Sequence, residues 1–225
     1  MSTPTLKQVL DAQKHQVLVG KTYLNLAQAL SQTDQAIIQG SETFFGLTLN
    51  GSLELAQLTV ARLFDKTKGA ITVPTMLGQA RMQTNSFQRG TPTEVQRAIE
   101  ESEKAILSLE PVLVAVRKRR NEWLAHLDPR TIANPSALSA KAKLTIPDLE
   151  RVFQETEKVL LGLSSLYDGT FGELRFIGGD DYKAALDWIR KAKCAFIESY
   201  EKEFGPDSYT GPRPTNFTRD NFKMY

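Results

Sequence analysis

From Val95 onward the chain returns to one helical face at alternating steps of four and three residues: Val95, Ile99, Ser102, Ile106, Leu109, Leu113, Val116, Arg120, Trp123 and Leu127. Steps of that size stay on one side of an α-helix and miss both faces of a strand. Thr91-Pro92-Thr93-Glu94 begins the seam with a capping box and a proline at the first helical position. Leu127-Asp128-Pro129 ends it, because the residue before a proline is pushed out of the helical region. The spacing predicts helix from residue 92 to about 126. Pro111 lies inside it, lacks a backbone donor and clashes with the preceding turn, so the helix must kink or split there. A stripe this long has to be buried against other helices, and that requirement constrains the rest of the fold.

The other segments have the same periodicity. Thr3-Pro4 starts a first helix whose stripe is Leu6, Val9, Leu10, Val17, Tyr23, Leu26, Ala27 and Leu30, with Gly20 a weak point inside it. Gly40-Ser41 punctuates. Phe44 to Phe64 reads as a second helix with Leu47, Leu53, Leu55, Leu58, Ala61 and Leu63 inward, its early part weakened by Gly51, and Asp65 to Gly69 ends it. A short helix is predicted around Val73 to Phe87, with Pro74 in its first turn. Residues 129–144 read as loop. Thr145-Ile146-Pro147-Asp148 caps a helix carrying Leu149, Val152, Phe153, Val159, Leu160, Leu163 and Leu166 inward. Tyr167 to Gly179 is glycine-rich, a loop or a short hairpin. Asp180 caps a last helix to about Phe204, with Tyr182, Leu186, Ile189, Ala192, Phe196 and Ile197 on one side. The expected fold is all-α: an antiparallel bundle of four to five main helices over residues 1–204, with an irregular, aromatic-bearing C-terminal arm at 205–225.

Composition sets the outer limits. With 225 residues, 41% of them hydrophobic and 24% charged, the chain can build one sizeable core. A net charge of +2 gives no bulk attraction to nucleic acid, so any such affinity must be local. The first residues are polar, without the apolar core of a signal peptide, and no run approaches the roughly 18 apolar residues of a membrane span. These features, with a single cysteine, point to a cytoplasmic protein without membrane association. No His or Cys pair has metal-ligand spacing, so no metal and no cofactor is expected. Cys194 reads as a small core residue, His15 as a surface residue and Gly178-Gly179 as loop.

One segment carries chemistry: Arg117-Lys118-Arg119-Arg120-Asn121-Glu122-Trp123-Leu124-Ala125-His126-Leu127-Asp128. Arg120 falls on the inward seam, where a cation needs a carboxylate, a carbonyl, an anion or a wet cleft as partner. On a regular helix His126 would stand about 120° round from Arg120 and roughly 9 Å along the axis, so the two would flank a groove rather than touch. RNA cleavage without metal needs a base for the 2′-hydroxyl, an acid for the leaving oxygen and a cation for the phosphorane. An imidazole and a guanidinium supply those functions near neutral pH. One imidazole is half of an acid–base pair, and a symmetric dimer would supply the other half. The residues also admit plainer readings. Arg117, Lys118 and Arg119 suit a solvated face or the negative end of a helix dipole, and His126 suits a helix end where it donates to a carbonyl.

Arg120-Asn121, four further residues and His126 resemble the signature of the HEPN superfamily (higher eukaryotes and prokaryotes nucleotide-binding domain), an arginine and polar residue with a histidine four to six positions after the arginine. Arg119-Arg120-Asn121-Glu122-Trp123-Leu124-Ala125-His126-Leu127-Asp128 is similar to the abortive-infection branch, over roughly residues 5–200. The resemblance implies a metal-independent endoribonuclease, the toxin of a toxin–antitoxin or phage-defence module, dimeric through its motif-bearing helices. It implies Arg120 and His126 as the catalytic pair and Asn121 as the supporting polar residue. Arg117, Lys118 and Arg119 would then hold the RNA phosphates, and an antitoxin or neutralising protein would be a further partner. Some members carry a tyrosine two residues after the histidine, which a partner enzyme modifies. Asp128 stands there instead, which argues against that form of control. A helical dimer that has lost catalysis and binds RNA, a nucleotide or a protein is the alternative.

Overall fold

A computed structural model of the chain describes residues 4–124, 142–174 and 181–215. Those residues are helical and contain no strand. The helices are α1 (Leu6–Ser31), α2 (Gln35–Ile38), α3 (Glu42–Leu63), α4 (Val73–Met82), α5 (Pro92–Ser108), α6 (Glu110–Arg119), α7 (Ile146–Asp168) and α8 (Asp181–Phe204). A 3-10 turn follows α4 at Thr84–Ser86, and a π-helical turn follows α6 at Arg120–Leu124. The protein is thus a helical bundle built largely from the elements that the periodicity marks, with the brief α2 as an addition.

The chain divides into two compact units. The first comprises Met1–Leu24 and Ser52–Phe176. Its centre is the packing of α5 on α7 and of α4 on α5. Val95, Ile99, Leu109, Leu113 and Val116 are buried on one side of that centre, and Leu149, Val152, Phe153, Leu160 and Leu163 on the other. The seam predicted from Val95 to Val116 is therefore the buried face of α5 and α6.

Three threonines start helices here by the same device. Thr72, Thr91 and Thr145 each accept the backbone N–H three residues on, and the side chain of that residue (Thr75, Glu94, Asp148) accepts the N–H of the cap. Each reciprocal pair satisfies two donors that a helix start would otherwise leave open. Pro111 does split the seam: α5 ends at Ser108, Leu109 adopts φ −88° and ψ −8°, and α6 begins at Glu110.

Gly20 does not interrupt α1. A β-carbon placed there would lie 2.4 Å from the Phe153 ring and 2.9 Å from Thr59 Cγ2. The missing side chain lets α1 approach α7 closely, and buried contacts outweigh the lower helix propensity of glycine. At the ends of the same two helices, Lys7 donates to Asp168 at 2.6 Å, and Asp168 also accepts the Thr170 N–H at 3.0 Å. These bonds, led by that from Lys7, hold the Asp168 carboxyl well below the usual carboxylate range.

The second unit comprises Asn25–Gly51 and Ile177–Tyr225. Here α2 meets α8. Asp34 caps α2 through the Ala36 N–H, and its other oxygen accepts both the N–H and the hydroxyl of Thr215. Arg213 pairs with the buried Glu201, and Tyr209 lies edge-on to Phe196 and Tyr200. Residues 205–215 form no helix, and through these contacts they lie against α2 and α8.

Two expected faces are corrected in part. On α3, Leu47 is 71% exposed and Leu55 39%, whereas Phe45, Ser52, Ala56 and Val60 are buried. Small and polar residues take several of the inward positions and Leu47 and Leu55 face outward, while Ala61 and Leu63 of the expected face are buried. On α8, Ile189, Ala192 and Phe196 are exposed, and the buried line is Cys194, Ile197 and Glu201. An inward glutamate is stable there because Arg213 neutralises it, a partner twelve residues away that periodicity does not reveal.

Two outcomes test this packing. Gly20→Ala is expected to lower the free energy of unfolding by about 1–3 kcal/mol, because overpacking outweighs the gain in propensity; urea titration reads this. Asp168, with its lowered carboxyl pKa, adds stability that is present above the unfolded value near 3.8 and is lost as pH falls below it. Asp168→Asn should therefore flatten the loss of stability between about pH 4 and pH 2 relative to wild type, measured by the same titration at each pH.

Candidate functional site

The cationic run closes α6 and leads into the π turn. All four cations are half-buried, and each has different surroundings. Arg117 donates Nη2 to Glu110 Oε1 at 2.6 Å, bridging the first and last turns of α6. Lys66 approaches the same Glu110 oxygen at 3.4 Å. Arg119 donates Nε to the Ala142 carbonyl at 2.8 Å, from the residues just before α7. Lys118 forms no ion pair among the described residues.

Arg120 has the partner that its seam position demands. Its Nη1 lies 3.3 Å from Asp65 Oδ2, on the turn after α3, and its Nε donates to Asn121 Oδ1 at 3.0 Å. A guanidinium has five N–H donors, and among the described residues these two bonds leave three for another acceptor. The Arg120 side chain is 28% exposed and that of Asp65 27%. An ion pair so placed contributes under about 1 kcal/mol, so it aims the guanidinium more than it stabilises the fold.

Asp65 is itself held. Its Oδ1 accepts the Thr67 hydroxyl at 2.8 Å and the Thr67 N–H at 2.9 Å. These bonds, and then the charge of Arg120, hold its carboxyl below the ordinary aspartate value. Glu110 is likewise lowered, chiefly by the bond from Arg117. Both carboxylates are ionised at neutral pH, which balances the local cations.

The π turn alters what spacing alone implies. Its backbone bonds reach five residues instead of four, so the regular-helix rotation and rise from Arg120 to the following residues no longer apply. Single π turns recur at functional sites because they re-aim the side chains at their edge, and Arg120 opens this one. His126 and Asp128 lie outside the described residues. Arg120 and Asn121 are therefore brought together by the described structure, and the predicted third member is not placed by it.

Beside Asp65 lies a cavity of about 370 Å³ between the turn after α3, the start of α4 and the α5–α6 junction. Its floor includes Phe64, Ile106 and Leu113, and its rim includes Lys66 and Lys68. The sequence reading missed Asp65, Glu110 and this cavity. Asp65-Lys66-Thr67 carries the signal of a turn, but nothing local indicates that the turn meets a residue 55 positions on. Among the described residues, no three His, Cys, Asp or Glu side chains group as metal ligands, and no helix is long and apolar enough to cross a membrane.

The family model of AbiU2, a HEPN family, matches residues 8–187. The chain belongs to that family. The HEPN resemblance of the abortive-infection branch is thus borne out, and the match spans the first unit's helices together with the run at 117–120. No curated protein and no solved structure gives a match. Within this HEPN protein the candidate residues Arg120 and Asn121 sit at a helix end, and a carboxylate from another turn orients the arginine.

Removing the two supports of Asp65 should have unequal effects. Thr67→Val should raise the Asp65 carboxyl towards its ordinary value by more than Arg120→Ala does, because the Thr67 bonds are the larger cause. Carboxyl carbon NMR across a pH titration checks the order.

Proposed function

We propose that this HEPN protein is a metal-independent endoribonuclease, a toxin or phage-defence effector, active as a homodimer with a composite Arg120, Asn121 and His126 site. The observation that carries the reading is the half-buried Arg120 guanidinium. It opens a π turn, is held by Asp65 and Asn121, and keeps three donors unused among the described residues. A guanidinium fixed in this way can fork two phosphoryl oxygens and stabilise charge that builds on a phosphorane, without reorganising during the reaction.

In this scheme His126 exchanges the proton between the ribose 2′-hydroxyl and the leaving 5′-oxygen, with its counterpart from the second protomer completing the acid–base pair. Asn121 fixes the arginine through its side-chain oxygen. Arg117, Lys118 and Arg119 add positive potential for the flanking phosphates, and an antitoxin or neutralising protein would cover the same face. The family assignment supports the abortive-infection setting.

The Arg120–Asp65 pair also favours a second reading, in which the arginine is a neutralised structural group. The protein would then be a helical dimer that binds RNA, a nucleotide or a protein partner without cleaving it.

Incubation of purified protein with RNA in chelator separates the two. Cleavage to 2′,3′-cyclic phosphate ends, reduced by about 100-fold or more in both His126→Ala and Arg120→Ala, is the expected result. Cleavage unchanged in both variants, or absent from wild type at high protein concentration, would overturn the ribonuclease reading. Salt-sensitive RNA binding that survives His126→Ala would then stand in its place.

A further inference from the structure

The cavity beside Asp65 is not needed to hold Arg120, and its walls are chemically mixed in a specific way. Phe64, Ile106 and Leu113 form an apolar floor. Asp65 and Glu110 are carboxylates held in the ionised form, so they offer acceptors to N–H donors. Lys66 and Lys68 place positive charge at the rim. Arg117 forms part of the wall, and its Nη1 is enclosed with no acceptor among the described residues.

A ligand that satisfies all three kinds of wall is flat and apolar on its faces, carries N–H groups at its edge and is joined to a negative charge. A nucleobase attached to phosphate has that chemistry. A volume of about 370 Å³ accommodates a base with part of its ribose, and falls within the range of roughly 300–1,000 Å³ typical of small-molecule sites. Asp65 links the cavity to the candidate site: one oxygen faces Arg120, and the residue also lines the cavity.

We propose that this cavity is a base-accepting subsite, which takes the nucleobase next to the phosphate held at Arg120. The assignment of that phosphate to RNA rests on the proposed ribonuclease reading. The subsite gives the protein a preference for one base beside the cut, through the acceptors of Asp65 and Glu110. It also holds the strand so that the neighbouring phosphate meets the Arg120 donors that Asp65 and Asn121 do not take.

The test is binding of the four nucleoside 3′-monophosphates to the full chain, followed by amide NMR. At least one is expected to bind with a dissociation constant on the order of 1 mM or tighter, which suits a site filled by one residue of a longer ligand. Amide shifts should concentrate at residues 64–69 and 106–113. Ile106→Phe, which fills the floor, should weaken binding at least tenfold, and Lys68→Glu, an exposed rim change, at least threefold. Lys68→Glu decides the matter if Ile106→Phe does not fold. No saturable binding by any of the four, or binding undiminished in a folded variant, would overturn the proposal. The RNA cleavage assay fails or succeeds separately: nucleotide binding without cleavage removes the ribonuclease reading and keeps the subsite, and cleavage without nucleotide binding removes the subsite alone.

Discussion

The interruption of one helix at Leu109 governs the region around Arg120. Pro111 has no N–H to give, and its ring would strike the carbonyl of the preceding turn, so α5 cannot continue through it. Leu109 remains fully buried at the break and α6 restarts at once, keeping the apolar seam on α7. The break also frees Glu110 at the first turn of α6, where it reaches Arg117 and Lys66. The cations from 117 to 119 are presented by this short second helix, and Arg120 opens the π turn that follows it.

Charge then settles what packing leaves open. Arg120 occupies a position that the periodicity reserves for an apolar side chain, and partial burial of a lone cation is costly. The cost is offset from a distant turn: Asp65 meets Arg120, and Thr67 holds Asp65 in place and keeps it ionised. Among the described residues the guanidinium is oriented but incompletely used, which suits the charge-binding role proposed for it. The same carboxylate borders a mixed apolar and ionic cavity, so the proposed base subsite and the proposed phosphate site share one residue.

Legibility in the sequence follows the range of the interactions. The boxes at Thr91 and Thr145, the stop at Asp65, the split at Pro111 and the inward faces of α5, α6 and α7 are set within one or two turns, and the residues themselves announce them. The inward faces of α3 and α8 follow the expectation only in part, with Ala61, Leu63 and Ile197 buried as expected, because leucine and phenylalanine were weighted above serine, alanine and glutamate. On α3, Ser52 and Ala56 are buried while Leu47 is exposed. On α8, the inward Glu201 depends on Arg213, which no helical period predicts.

By itself, the sequence determined the helical class, most helix boundaries and the candidate pair Arg120 and Asn121, because caps, breaks and helical spacing act between residues a few positions apart. It also carried enough of the HEPN pattern to indicate the family that the match over residues 8–187 establishes. Only the tertiary structure decided which carboxylate holds Arg120, how Gly20 admits the Phe153 ring and where a cavity opens beside Asp65. Those features arise from residues tens of positions apart, and their contacts exist only once the helices have packed.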